Sequence, residues 1–185
     1  MMNVTQLSDS QLINLLEEIN DELKVRLTFG RKIEPSSPIL TREEIIKEAK
    51  DSIEKLKGSN NFYITNEALR VKAEFHINRN KRTVAVLLRG AVSNNIYAKG
   101  IAKCDPADTF NVHIGKAIAL YRALGKPVPE QFIKTPQPET SEIGDIVKYC
   151  GKTYIIGTNW APNNRVAQPR STVALKGKVI DDSKE

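Results

Sequence analysis

The 185 residues include 28 Lys and Arg against 22 Asp and Glu, a formal net charge of +6, with 40% apolar and 27% charged side chains. That is the composition of a globular protein of one domain with a small satellite. No apolar run nears the ~20 residues of a membrane span, a signal peptide is not expected from the opening residues, and Cys104 and Cys150 are too few for a disulfide framework or zinc site, so a cytoplasmic setting with no membrane partner is expected.

The first predicted element is an amphipathic helix over 10–28, within an N-terminal segment 1–33. Leu12, Leu15, Leu16, Ile19 and Leu23 recur at helical spacing, with Glu17, Glu18, Asp21 and Glu22 opposite. Such a stripe must pack on something, either the rest of the fold or a second copy in a homo-oligomer. Pro35 to Pro38 reads as a linker. A second helix follows, with Thr41 and Glu44 at capping-box spacing, a stripe of Ile45, Ile46, Ala49, Ile53 and Leu56, and Gly58 as its stop.

The period then changes to two. Val71, Ala73, Phe75 and Ile77 alternate with polar residues in a half-buried strand, and Asn78 to Lys81 turns the chain. Thr83 to Leu88 and Ile96 to Cys104 read as two further strands. Ala98, Gly100 and Ala102 leave one face of the last open to a closely packed helix. That helix spans about 109–124, with Asp108 or Thr109 as its cap and Gly125 at its end. The fold class is therefore α+β, with a three-stranded antiparallel sheet packed against two helices over 41–126. Residues 127–141, rich in proline, read as an extended linker. Residues 142–185 read as a small β unit, such as an SH3-type barrel. One hairpin turns at Cys150-Gly151 and a second near Lys176-Gly177.

Charge is unevenly placed. Residues 1–60 sum to −2, residues 61–130 to +6 and residues 131–185 to +2, which points to a basic face on the middle domain. Arg79, Lys81, Arg82, Arg89, Lys99 and Lys103 are its candidate strip, with Lys99 and Lys103 on one strand face by the two-residue period. Lys116 and backbone N–H groups near 109–112 are candidates to hold a phosphate at a helix start. Arg122 lies further along that helix. Phe110 and Tyr97 are aromatics able to stack on a base, although Phe110 suits a hydrophobic staple somewhat better. In the C-terminal unit, Trp160, Asn163, Asn164, Arg165 and Arg170 share one loop, where a Trp beside arginines can contact bases or proteins. The alternative for Trp160 is to cap the small core.

The α-β-β-β-α order of residues 41–125 resembles the double-stranded-RNA-binding domain, and Gly115-Lys116-Ala117-Ile118-Ala119-Leu120-Tyr121-Arg122-Ala123-Leu124 is similar to that family's last helix. Only Lys116 stands where the family has several lysines, and Asn78-Arg79-Asn80-Lys81-Arg82 replaces its Gly-Pro-His-type loop. Over roughly 70–125 the chain looks more like small phage and bacterial domains of the same fold. They share a stretch like Gly100-Ile101-Ala102-Lys103-Cys104, then Pro106, Asp108, Phe110, Gly115 and Arg122-Ala123-Leu124. Its general layout is also similar to phage Thoeris anti-defence proteins, oligomers that bind cyclic ADP-ribose-type signals without cutting them. These resemblances imply a phage-encoded protein in a host cytoplasm.

No motif for catalysis emerges. His76 and His113 lack partners at ligand spacing, a Cys104–His113 dyad across the strand–helix junction is the sole conceivable nucleophile pair, and the aspartates are too scattered for a two-metal site. The expectation is a non-enzymatic protein, with no cofactor or metal, that binds nucleic acid or a nucleotide through its basic face. Its alternatives are a counter-defence sponge for a cyclic nucleotide and an adaptor that inhibits a host protein.

Overall fold

Thr41 begins the described fold as the N-cap of helix α1 (Arg42–Leu56). Its side chain accepts the Glu44 amide while the Glu44 carboxylate accepts the Thr41 amide at 2.8 Å, the reciprocal box read from the sequence. This computed structural model describes residues 13, 40–58, 61–65, 68–158 and 165–184. The helix expected at 10–28, the oligomer contact assigned to it, the Pro35–Pro38 linker and Trp160, Asn163 and Asn164 lie outside those residues. Thr41–Glu185 make one compact unit.

Four antiparallel strands follow in sequence order: β1 (Tyr63–Ile64), β2 (Arg70–Asn78), β3 (Thr83–Gly90) and β4 (Ile96–Lys103). The sheet thus has one strand more than expected, because the two-residue β1 is too short to leave a period in the sequence. Val71, Val84, Val86 and Leu88 are fully buried on one face. Helix α2 (Val112–Ala123) lies across that face, with α1 beside it. Burying each such side chain stabilises by roughly 1.5–3 kcal/mol. Gly100 sets the distance of approach. A Cβ there would stand 2.0 Å from the Ala119 carbonyl oxygen and 2.7 Å from the Ala123 nitrogen. Asn111 caps α2, accepting the His113 and Ile114 amides at 2.9 and 3.2 Å, in place of Asp108 or Thr109. Phe110 and Thr109 before it are drawn into the core.

The region expected to be an extended linker contains a one-turn helix, α3 (Glu130–Ile133), whose Phe132 is buried and lies 6.3 Å from the Tyr121 ring. The buried Phe132 ring, the Pro136 carbonyl that accepts Arg42 and the Gln137 side chain that accepts the Thr109 amide together tether this proline-rich stretch. The C-terminal sheet has the order β7-β6-β5-β8, from β5 (Ile146–Tyr149), β6 (Lys152–Ile156), β7 (Val166–Ala167) and β8 (Lys178–Asp181). Cys150 and Gly151 both have positive φ, which forms the tight hairpin read between β5 and β6. The second hairpin is absent. Ser171 caps the short helix α4 (Thr172–Lys176), Gly177 ends it, and β8 returns beside β5.

Candidate functional site

The pleat of the four-stranded sheet sorts its side chains between two faces. Those opposite the helices are Arg70, Lys72, Glu74 and His76 on β2, Thr83, Ala85, Leu87 and Arg89 on β3, and Ile96, Lys99, Ile101 and Lys103 on β4. This open face therefore carries five Lys and Arg side chains and one carboxylate. Arg89 Nε donates to Glu74 Oε2 at 2.7 Å, and His76 Nε2 lies 3.2 Å from the other oxygen, so one acid bridges two neighbours. The Arg89 hydrogen bond holds the Glu74 carboxyl below its ordinary range. Among the described residues, no carboxylate pairs with Arg70, Lys72, Lys99 or Lys103. The Lys72 ammonium sits 5.6 Å above the Phe62 ring centroid. Ile101, half exposed, separates the two β4 lysines.

The turn cations have other work. Arg79 Nη1 donates to Asp181 Oδ2 at 2.6 Å. Arg82 donates to the Pro106 carbonyl and Cys104 Sγ at 3.1 Å, and also to the Asp108 carbonyl. It therefore staples the loop after β4, and its buried Nε has no partner. Lys81 stays exposed in the turn, where its amide donates to Asn78 Oδ1.

The start of α2 is already occupied. Asn111 takes two amides, and the Val112 amide donates to Ser183 Oγ at 2.9 Å. The Thr109 and Phe110 amides donate to Gln137 Oε1 and the Ile180 carbonyl. The phosphate site expected there thus has no open backbone donors at 109, 110 and 112. Phe110 is 3% exposed and lies in the core, so its ring is not presented to a base. Lys116 lines a groove on the helix side with Lys50, Lys57 and His113. Tyr97 is the extra residue of a bulge. It is half exposed, its ring is against Gly90, and its hydroxyl is 3.2 Å from Ser93 Oγ. Arg165 and Arg170 are exposed in the C-terminal unit.

A buried charge cluster joins α1, the α2 cap and the C-terminal segment. Arg42 donates from Nε and Nη2 to the two Asp182 oxygens at 2.6 and 3.1 Å, and also to the Pro136 and Thr109 carbonyls at 2.7 and 3.1 Å. Asn111 Nδ2 donates to the same carboxylate at 3.0 Å. Arg42 and Asp182 are 5% and 8% exposed. The pair lies 140 residues apart in the chain, and no local pattern announced it.

Beside this cluster, a cleft of about 210 Å3 opens between β4, α2 and the 132–137 segment. Arg122 is at its lining, donating to the Ile101 carbonyl at 2.6 Å, as are Lys103, Cys104, Asp105 and Asp108. Burial pushes the Cys104 thiol up, against the nearby Arg82. His113 belongs to the separate helix-side groove. Cys104 and His113, the dyad considered from the sequence, thus line two different surface depressions. Among the described residues, no cluster of three metal-ligating side chains occurs and no helix is long and apolar enough to cross a membrane. Compared with family models, curated proteins and solved structures, the chain matches none.

Proposed function

We propose that the protein binds nucleic acid through the open face of its first sheet. The observation that carries this reading is the excess on that face: Arg70, Lys72, Arg89, Lys99 and Lys103 against Glu74 alone. Phosphates are the partner such a face suits, and contacts of this kind give affinity that is salt-sensitive and indifferent to sequence. The three long strands β2, β3 and β4 between helices α1 and α2 support the same reading by resemblance, with the short β1 added at the sheet edge. Capture of a small nucleotide, the alternative, would use the cleft at the β4–α2 junction. There Asp105 and Asp108 stand against Lys103, Arg122 and Arg42, the last already held by Asp182, a balance that favours an anion less than the open face does.

The test is a gel shift at low salt with a labelled oligonucleotide, comparing the wild-type chain with Lys99→Glu/Lys103→Glu. Both lysines are exposed, so the variant should melt as the wild type does and lose at least tenfold in affinity. Absence of binding by the wild type at about 50 mM salt, or full binding by the folded variant, refutes the proposal.

A further inference from the structure

The cations of the open face form a stripe rather than a cluster. Lys103 stands opposite Thr83 and Lys99 opposite Leu87, four residues along β4, which is about 14 Å at strand rise. The stripe then crosses to β2, where Lys72 stands opposite Arg89 and the Arg70 carbonyl accepts the Ala91 amide. From the level of Thr83 to that of Ala91 is about 27 Å along the strands, and from β4 to β2 about 10 Å across them. The five charges thus follow one diagonal of about 29 Å. The apolar Ile101, Leu87 and Ala85 lie beside it.

Resting on the nucleic-acid reading above, we infer that the ligand is a single strand laid along this diagonal, with phosphates spaced along its backbone meeting Lys103, Lys99, Lys72 and Arg70. A duplex is stiff over this length, having a persistence length of about 500 Å. Each of its strands winds away around the axis after a few phosphates. A single strand bends to follow the stripe, and its bases can lie against Ile101 and Leu87 without being read. Arg89, held by Glu74, contributes field rather than a free donor pair. Four neutralised phosphates give a salt slope of about −2.8, at about −0.7 each. That is about a 50-fold loss of affinity between 50 and 200 mM KCl.

Fluorescence anisotropy of a labelled twelve-nucleotide oligothymidylate, a twelve-base-pair duplex and a dinucleotide tests this directly. The expected result is that the single strand binds tighter than the duplex and at least tenfold tighter than the dinucleotide. Arg70→Ala and Lys103→Ala, at opposite ends, should each lower the slope by about 0.7. A duplex that binds as well as the single strand, a dinucleotide that matches the longer strand, or an unchanged slope in Arg70→Ala overturns the inference and leaves the basic-face reading standing. Failure of all three ligands at the lowest salt overturns both.

Discussion

Removing Asp182 tests the buried charge cluster that joins the C-terminal segment to α1. In Asp182→Ala the Arg42 side chain, 5% exposed in the wild type, loses both carboxylate bonds and keeps the Pro136 and Thr109 carbonyls. Breaking a buried pair on one side costs about 3–5 kcal/mol. The two surviving carbonyl bonds place this case near 3 kcal/mol. Asn111 Nδ2 loses its acceptor in the same change. With a urea m-value of about 2 kcal/mol/M, the midpoint of unfolding should fall by about 1.5 M at unchanged m. Arg42→Met should cost a similar amount, by leaving the Asp182 carboxylate buried with Asn111. The double variant Arg42→Met/Asp182→Leu removes both charges, so it should be more stable than the sum of the singles predicts, with coupling of about 2 kcal/mol. Single variants each within 1 kcal/mol of wild type, or strictly additive costs, would refute the reasoning.

Gly100→Ala should destabilise by about 3 kcal/mol in the same assay, since the new methyl meets the backbone of α2 rather than a movable side chain; a change below about 0.5 kcal/mol would contradict the close approach. Asp145 is 2% exposed, and burial raises its pKa above the ordinary 3.8. A raised acid pKa stabilises the fold only while the group is protonated. Its share of stability is therefore lost as pH rises from about 3.8 through the folded value. Asp145→Asn keeps an acceptor for the Glu142 amide and should be more stable than wild type at neutral pH. It should show no such gain near pH 3, and equal stability at both pH values would count against the assignment. Iodoacetamide should modify the exposed Cys150 before Cys104, whose thiol is half-buried and shifted upward; faster labelling of Cys104 would be inconsistent with that environment.

Elements with a local signature were legible in the sequence, and long-range partnerships were not. The Thr41–Glu44 box, the alternation over 71–77 and the small residues 98, 100 and 102 each act within a few positions, and each predicted the element found there. The C-terminal misreading was also local. Thr172–Lys176 is too short to display a helical period, so Gly177 resembled a hairpin turn when it ends a helix. Cations were the hardest to place. Arg79 and Arg82 looked as available as Lys99 and Lys103, but their acceptors sit 102 residues away at Asp181 and over 20 residues away at Cys104 and Pro106. Arg42, in the first turn of α1, is the most buried cation described, because its acceptor Asp182 arrives from the far end of the fold. The two-residue period of β4 placed Lys99 and Lys103 on one face, as found. Their company on β2, Lys72 and Arg70, needed the strand register.

Backbone amide chemical-shift mapping during titration with a short oligothymidylate tests the central claim most directly. Binding through the open face predicts that the largest shifts fall on Arg70, Lys72, Arg89, Lys99, Ile101 and Lys103. Shifts gathered instead on α1, α2 or the C-terminal sheet, or a spectrum that does not move at low salt, would contradict it.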